Sequence, residues 1–375
     1  MINNMRNIKN KYDMPILLSL TLLPIASIIL LPLYIYYFGI VWQEPVMLIV
    51  GWFLSGTGIT VGYHRLFSHR TFKTHPIIEW FYMFTGSMAL QNTILHWCSD
   101  HRRHHKKLDT IDDPYSIKEG FFHAHIGWIV KKNNNKISGV SDLEQKSAVL
   151  FQKKYYWTLA LFLSFILPLL IGLIYNRPLG GLLWGGILRA TLVHHFTFFI
   201  NSLCHYLGSR DFDPYTTARD SWVMAFLTFG EGYHNFHHKF QWDYRNGIKW
   251  YNFDPSKWII KLLSIFNVAY GLRKVPDYLI LKAKIDTLNK KIKNLSNYMN
   301  FSNIKYRDKI AQITQSASIN LSLWKSLEKK YSLHKKNNVK GQYIAYQNKR
   351  KFYKLELQKS ISSLLLIFIN LKNVV

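Results

Sequence analysis

The sequence predicts an all-α, polytopic membrane protein, with four transmembrane helices and a helical cap on the cytosolic side. Three observations predict it. Long runs of Leu, Ile, Phe and Trp pass without charge, and about 20 such residues make a membrane helix. Aromatic residues make up 16% of the chain, and Trp and Tyr suit the membrane interface, where a ring stays apolar while its polar tip stays wet. Histidines gather in three clusters, His64-Arg-Leu-Phe-Ser-His69, His101-Arg-Arg-His104-His105 and His234-Asn-Phe-His237-His238, with a smaller piece at Asn201-Ser-Leu-Cys-His205.

The elements follow in order. Residues 1–14 form a cytosolic N-terminus carrying Arg6, Lys9 and Lys11. The apolar run behind them is too long for a signal-peptide core and no small-residue cleavage site follows, so it reads as a retained span. Spans are expected at about 16–38, 45–63, 157–175 and 180–200. Pro24 and Pro32 interrupt the first, which a membrane helix tolerates when neighbours satisfy the freed carbonyls. The stretch 77–95 is apolar but broken by Glu79, Gln91 and Asn92, which points to burial in protein or an interfacial position. Connectors 39–44 and 176–179 hold one basic residue, Arg177, whereas 65–154 holds 14 Lys and Arg. The positive-inside rule then places both termini and the central loop in the cytosol. The membrane domain is 15–275, with its cap built from 64–156 and 201–275, and 276–375 is a basic helical cytosolic tail.

The net charge of +27 is concentrated in that tail, where residues 281–375 hold 20 Lys and Arg against 4 Asp and Glu. Leu281, Ile285, Leu288, Ile292, Leu295 and Met299 recur there at alternating four and three steps, a heptad-like stripe suited to a partner helix or a lipid surface. No nucleic-acid-binding motif accompanies the charge, so nucleic acid is not an expected partner. Cys98 and Cys204 are the only cysteines, which excludes a disulfide framework and cysteine-rich zinc or iron–sulfur motifs.

The expected topology brings all four histidine pieces to one side of the membrane. Their nine imidazoles exceed the needs of one ion, and imidazole without thiolate suits iron, copper, zinc or nickel, so two metals are expected. Residues three and four apart share a helix face, which fits His101/His104/His105, His234/His237/His238 and Asn201/His205. His64 and His69 are five apart and fall on different faces of an α-helix, so the helix is expected to end between them. Ligand histidines need a second hydrogen bond, and Asp100 and Glu231 are the expected acids. Asp112 and Asp113, beside Pro114, read as capping or solvated.

These residues resemble the membrane fatty acyl-CoA desaturases, especially the stearoyl-CoA (Δ9) branch. Beyond the histidine boxes, the resemblance rests on Gly62-Tyr-His-Arg-Leu-Phe-Ser-His-Arg-Thr-Phe, Gln91-Asn92, Trp97 with Asp100-His-Arg-Arg-His-His-Lys, Asp109-Thr-Ile-Asp-Asp-Pro114 and Gly230-Glu-Gly-Tyr-His-Asn-Phe-His-His, over about residues 15–270. It implies two irons held by His64, His69, His101, His104, His105, His205, His234, His237 and His238, with Asn201 reaching one iron through water. It implies O2-dependent insertion of a cis double bond between carbons 9 and 10 of a saturated C16 or C18 acyl-CoA. Gln91 and Arg102 fall where the family lines its acyl-CoA path. No His-Pro-Gly-Gly haem motif is present, so electrons are expected from a separate cytochrome b5 or ferredoxin, docking on basic residues such as Arg103, Lys106, Lys107 and Lys239. The setting would be the endoplasmic reticulum in a eukaryote or the inner membrane in a bacterium. Two positions depart from the animal pattern: Ser99 stands where an arginine commonly precedes Asp100, and His96 replaces an acid.

Alternatives stay open at this point. A related diiron hydroxylase, or a desaturase of lipid- or carrier-linked chains, begins with the same hydrogen abstraction. A histidine-rich metal transporter would need ionisable residues along a mid-membrane path, and the spans show few. Positional choice along an alkyl chain requires a tunnel of fixed depth, for which Gly58, Gly62 and Tyr63 are candidates, with close helix packing as the competing reading of the glycines.

Overall fold

The structure, a computed structural model, describes residues 12–132, 136–298, 304–336 and 340–373. Its regular structure is helical apart from one antiparallel pair of two-residue strands, β1 (Lys73–Thr74) and β2 (Ala269–Tyr270). The chain divides into two compact units, Met1–Gly208 with Thr217–Lys274, and Ser209–Thr216 with Val275–Val375.

In the first unit, α1 (Met14–Phe38) opens where Asp13 accepts the Ile16 N–H at 3.3 Å and Pro15 occupies the first turn. With α2 (Gln43–Ser68) and α5 (Ser147–Ile174) it forms a set of three helices long and apolar enough to cross a membrane. Only 11% of α1's apolar window is buried against 56% of α2's, so α2 is the inner helix and carries the interior chemistry. The stretch 77–95 splits into α3 (Pro76–Ser87) and the start of α4 (Ile94–Lys107). At 12 residues, α3 is too short to cross a bilayer. Helix α5 begins ten residues earlier than its apolar run, and its added turns bury Gln152, which accepts the Ile94 N–H at 2.8 Å. The fourth expected span lies inside a continuous helical run over 178–206 (α6), where Arg189, His194 and His195 lower the apolarity below that of the other three. Behind it come α7 (His234–Lys239) and α8 (Pro255–Ile265).

The expectation that α2 ends between His64 and His69 is corrected. From Gly58 to Ser68 the helix continues with π winding, and the His69 N–H donates to the His64 carbonyl at 3.0 Å. Bonds that span five residues instead of four put residues five apart on one side of the helix, which α-helical geometry does not allow. The two rings consequently meet at 4.7 Å between centroids.

Close packing of α2 on α3 explains two glycines. A Cβ on Gly58 would lie 2.4 Å from the Gly86 nitrogen, and one on Gly62 would lie 2.7 Å from Tyr82 Cβ. Backbone atoms cannot yield as a flexible side chain can.

The second unit consists chiefly of α9 (Asp277–Tyr298), α10 (Ile304–Lys336) and α11 (Lys340–Lys372). Ile285, Leu288 and Ile292 of the expected stripe are buried against Ala317, Trp324, Leu357 and Leu364, with Leu281 and Leu295 partly buried beside them. The stripe thus closes an intramolecular helical core; Met299 lies outside the described residues.

Gly58→Ala is expected to destabilise the protein by about 1–3 kcal/mol through overpacking, measured as a lowered midpoint of thermal unfolding in detergent. An unchanged midpoint would contradict the close approach of α2 and α3.

Candidate metal centre

The nine clustered histidines separate into two groups, His64, His69, His101, His105 and His237 in one and His104, His205, His234 and His238 in the other. Within each group the ring nitrogens lie within 4.8 Å of one another. Neither group is one sequence cluster. On α4, His101 and His105 share a face and His104 lies beside it; on α7, His234 and His238 share a face and His237 points to the other group. Each of these helices therefore serves both groups and fixes the distance between them. Helix α2 supplies His64 and leads into His69, and the end of α6 supplies His205.

The nitrogen geometry suits bound cations. His237 Nε2 lies 3.0 Å from both His64 Nε2 and His105 Nε2, and His234 Nε2 lies 3.0 Å from both His205 Nε2 and His238 Nε2. One ring proton cannot serve two such contacts, so lone pairs face each other. Metal–imidazole bonds of about 2.1 Å place neighbouring nitrogens at a right angle about 3.0 Å apart. Burial holds the pKa of His69, His101, His105, His205, His234, His237 and His238 well below the ordinary imidazole value, and neighbouring rings push the same way. Neutral rings are the metal-binding form.

Outer contacts set the tautomers. His64 Nδ1 lies 2.8 Å from a Glu231 carboxylate oxygen, which favours the ring proton on Nδ1, and His104 Nδ1 donates to Asp113 at 2.8 Å. Thr217 donates its hydroxyl to Asp109 at 2.6 Å and therefore accepts from His205 Nδ1 at 2.8 Å. In all three rings the lone pair is left on Nε2, facing the cluster. Tyr115 Oη lies 3.2 Å from His101 Nδ1. Glu231 is itself held by Arg65, fully buried, which also binds Asp254 at 2.9 Å and the Tyr244 carbonyl at 2.9 Å. Burial works to raise the Glu231 carboxyl, but His64 and Arg65 outweigh it and leave its pKa below the ordinary value. Removing Arg65 would strand two buried carboxylates, at a cost of about 3–5 kcal/mol.

Several expected residues have other surroundings. Asp100 pairs with Arg103 at 3.4 Å, not with a histidine, and burial raises its pKa against the pull of Arg103. Asp113, read from sequence as a cap, is the acid on His104. Arg102 is engaged by Asp142 at 2.6 Å and by the carbonyls of Ser68 and Phe67 at 2.9 and 2.7 Å, so it ties the chain around α4 together. Two further histidines lie outside both groups: His194 bonds the Ala89 carbonyl at 2.9 Å and His195 contacts His125 at 3.1 Å.

A cavity of about 560 Å³ leads to the clusters. Its wall includes Leu23 of α1, Trp52 and Ile59 of α2, and Val193 of α6, and it reaches His64, His101, His104 and His234. Asn201 and Asp100 also line it, as does Gln91. Gln91 donates to Thr197 at 3.0 Å and accepts from Trp97 at 3.3 Å, and Trp97 stacks on His101 with centroids 4.8 Å apart. Gly58, Gly62 and Tyr63 are not on this wall; Gly56 is, and a Cβ there would strike the Phe229 ring at 2.1 Å.

A sequence model described as fatty acid desaturase matches residues 19–264. The chain belongs to the fatty acid desaturase family. A probable acyl-CoA desaturase of Schizosaccharomyces pombe is 44% identical over 240 residues, 63% of this chain and 50% of the relative. Acyl-CoA desaturase 1 of Saccharomyces cerevisiae is 40% identical over 272 residues, 70% of this chain and 53% of the relative. An sn-1 stearoyl-lipid 9-desaturase of Anabaena variabilis is 35% identical over 231 residues, 61% of this chain and 83% of the relative. The chain spans about half the length of the two yeast relatives it matches.

Asp113→Asn and Glu231→Gln are each expected to weaken metal retention about 10–100-fold, the usual effect of losing an orienting partner. Metal content after graded chelation, measured by plasma emission spectrometry, checks this; retention equal to the parent in both variants would contradict the orienting role.

Proposed function

We propose that the chain is an O2-dependent acyl-CoA Δ9-desaturase that forms a cis double bond between carbons 9 and 10 of saturated C16 or C18 chains. The observation that carries the reading is the adjacency of two cavities. The apolar cavity reaching the histidines shares Ser99, Trp128 and Lys131 with a second pocket where Arg102, Arg103, Lys106, Lys107, Lys132 and Lys136 outnumber Asp112, Asp113 and Glu119. A long alkyl chain ending in a polyanionic carrier matches that pairing: the chain lies between Trp52, Ile59 and Val193, and phosphates meet the basic residues. The Δ9 position draws support from relatives whose names carry it, among them the Anabaena enzyme and a delta(9)-fatty-acid desaturase of Caenorhabditis elegans, 34% identical over 257 residues.

In this reading the nine histidines hold two irons, with Asn201 beside the second group. Imidazole suits iron, and iron supplies the O2-dependent oxidation of an unactivated methylene that no side-chain acid or base performs. The chain's own residues bind and orient. The cavity wall fixes which methylenes face the clusters, Trp97 shields His101, and Glu231, Asp113 and Thr217 keep the ring protons on Nδ1. Two hydrogens leave adjacent carbons, and with two electrons and two protons from an external donor, O2 is reduced to two waters. Cytochrome b5 or a ferredoxin is the donor class, with Lys239, outside the basic pocket, as docking charge. The membrane arrangement proposed with it has α6 as a fourth crossing and the cap and termini in the cytosol.

The test is a fatty-acid profile, with double-bond positions mapped by mass spectrometry, from desaturase-deficient yeast expressing the chain. New cis-9 C16 or C18 monoenes are expected. Oxygenated products would indicate a hydroxylase, and monoenes confined to intact lipids would indicate a lipid-linked substrate. His104→Ala and His237→Ala, one from each group, are expected to reduce monoene to background while the protein stays in the membrane; full activity in either would overturn the two-metal assignment.

A further inference from the structure

Helix α11 carries a row of large apolar side chains that nothing among the described residues covers. Ile344, Phe352, Leu355, Leu366 and Ile369 are 57%, 56%, 49%, 60% and 44% exposed. At 100° per residue they fall within an arc of about 100°, and at 1.5 Å per residue they extend about 37 Å along the helix. The opposite side of the same helix is occupied, because Leu357, Leu364, Ile367 and Leu371 are buried in the core of the second unit. The row is therefore surplus to folding. Lys351 and Lys359 share its arc, and Lys359 is 74% exposed and pairs at 2.7 Å with Glu356, one turn back on the same helix.

We propose that this face of α11 lies on an anionic bilayer surface, its apolar row in the headgroup region and its lysines against lipid phosphates. The chemistry selects this occupant over two others. Asn348, Lys351, Lys359 and Ser362 interrupt the row in the same arc; an acidic protein would match the lysines but not the five exposed apolar side chains set among them, whereas an interfacial helix uses both. A second copy pairing through the same face would bring Lys351 and Lys359 against identical charges. The surroundings match as well, since residues 281–375 hold 20 Lys and Arg against 4 Asp and Glu, and the polypeptide joins this unit directly to one with three helices apolar enough to cross a membrane. Bilayer lies within reach of the tether, and basic residues add attraction to anionic lipid.

The inference does not depend on turnover, and its test needs none. The 375-residue chain with Leu366→Cys, or Ile369→Cys if the first fails to fold, is labelled with an environment-sensitive fluorophore. The parent protein, whose Cys98 and Cys204 are buried, gives the background. The labelled chains are reconstituted in nanodiscs of phosphatidylcholine alone or with 30% phosphatidylserine, with spin-labelled lipid as quencher, and Asn294→Cys on the outward side of α9 serves as control. Quenching of the α11 label but not of the α9 label, stronger with phosphatidylserine and weakened by salt, is the expected result. Lys351→Gln with Lys359→Gln is expected to lower the docking constant about 25-fold, about fivefold for each lysine. No quenching in anionic nanodiscs overturns the proposal. So does protection of the label in lipid-free detergent that rises with protein concentration, which would mean a second copy.

Discussion

Nine imidazoles packed into two groups, with nitrogens within 4.8 Å of one another in each, form an arrangement that protein atoms alone do not stabilise. Ring lone pairs face ring lone pairs, and for His69, His101, His105, His205, His234, His237 and His238 burial lowers the pKa and so opposes relief by protonation. A cation at the centre of each group converts the repulsion into coordination. The surrounding structure exists to hold that geometry. Glu231, Asp113 and Thr217 fix the protons on the outer nitrogens, and Arg65 holds Glu231 against Asp254 and the Tyr244 carbonyl. The network is costly to bury and is kept because each charge in it has partners.

The same requirement explains the winding of α2. A regular α-helix offers rings at three and four residue intervals, and His64 and His69 are five apart. Eleven residues of π winding, Gly58–Ser68, bring both to one group. The glycines at 58 and 62 let α3 approach the backbone of the widened helix. Local irregularity in α2, close packing on α3 and metal-ready geometry are therefore one feature seen at three scales.

Much of the centre was legible in the sequence. The three- and four-residue spacings on α4 and α7 announce rings that share a face, and the composition, without paired cysteines, restricts the chemistry to imidazole. The position of Glu231 beside a cluster histidine was legible because it lies three residues before His234 in the sequence, although the ring it meets is His64. Asp113 was not, since its role depends on the turn after α4 folding back to His104. Arg102 stands next to His101 but is directed to Asp142, 40 residues further on, a pairing that no local pattern announces. Thr217 and Asp109 are 108 residues apart and meet only through the fold.

The sequence by itself determined the all-helical class, three of the apolar runs and the identity of the nine clustered histidines, because helical periodicity and apolar length are local properties. It also carried the repeating apolar stripe of α9, though not the helices that cover it. The tertiary structure alone decided how the histidines divide between two groups, which acids orient them, where α2 changes its winding, and that Gly58 and Gly62 serve helix packing while Gly56 borders the cavity. Those outcomes depend on distances between residues far apart in the chain, and such distances are set by packing.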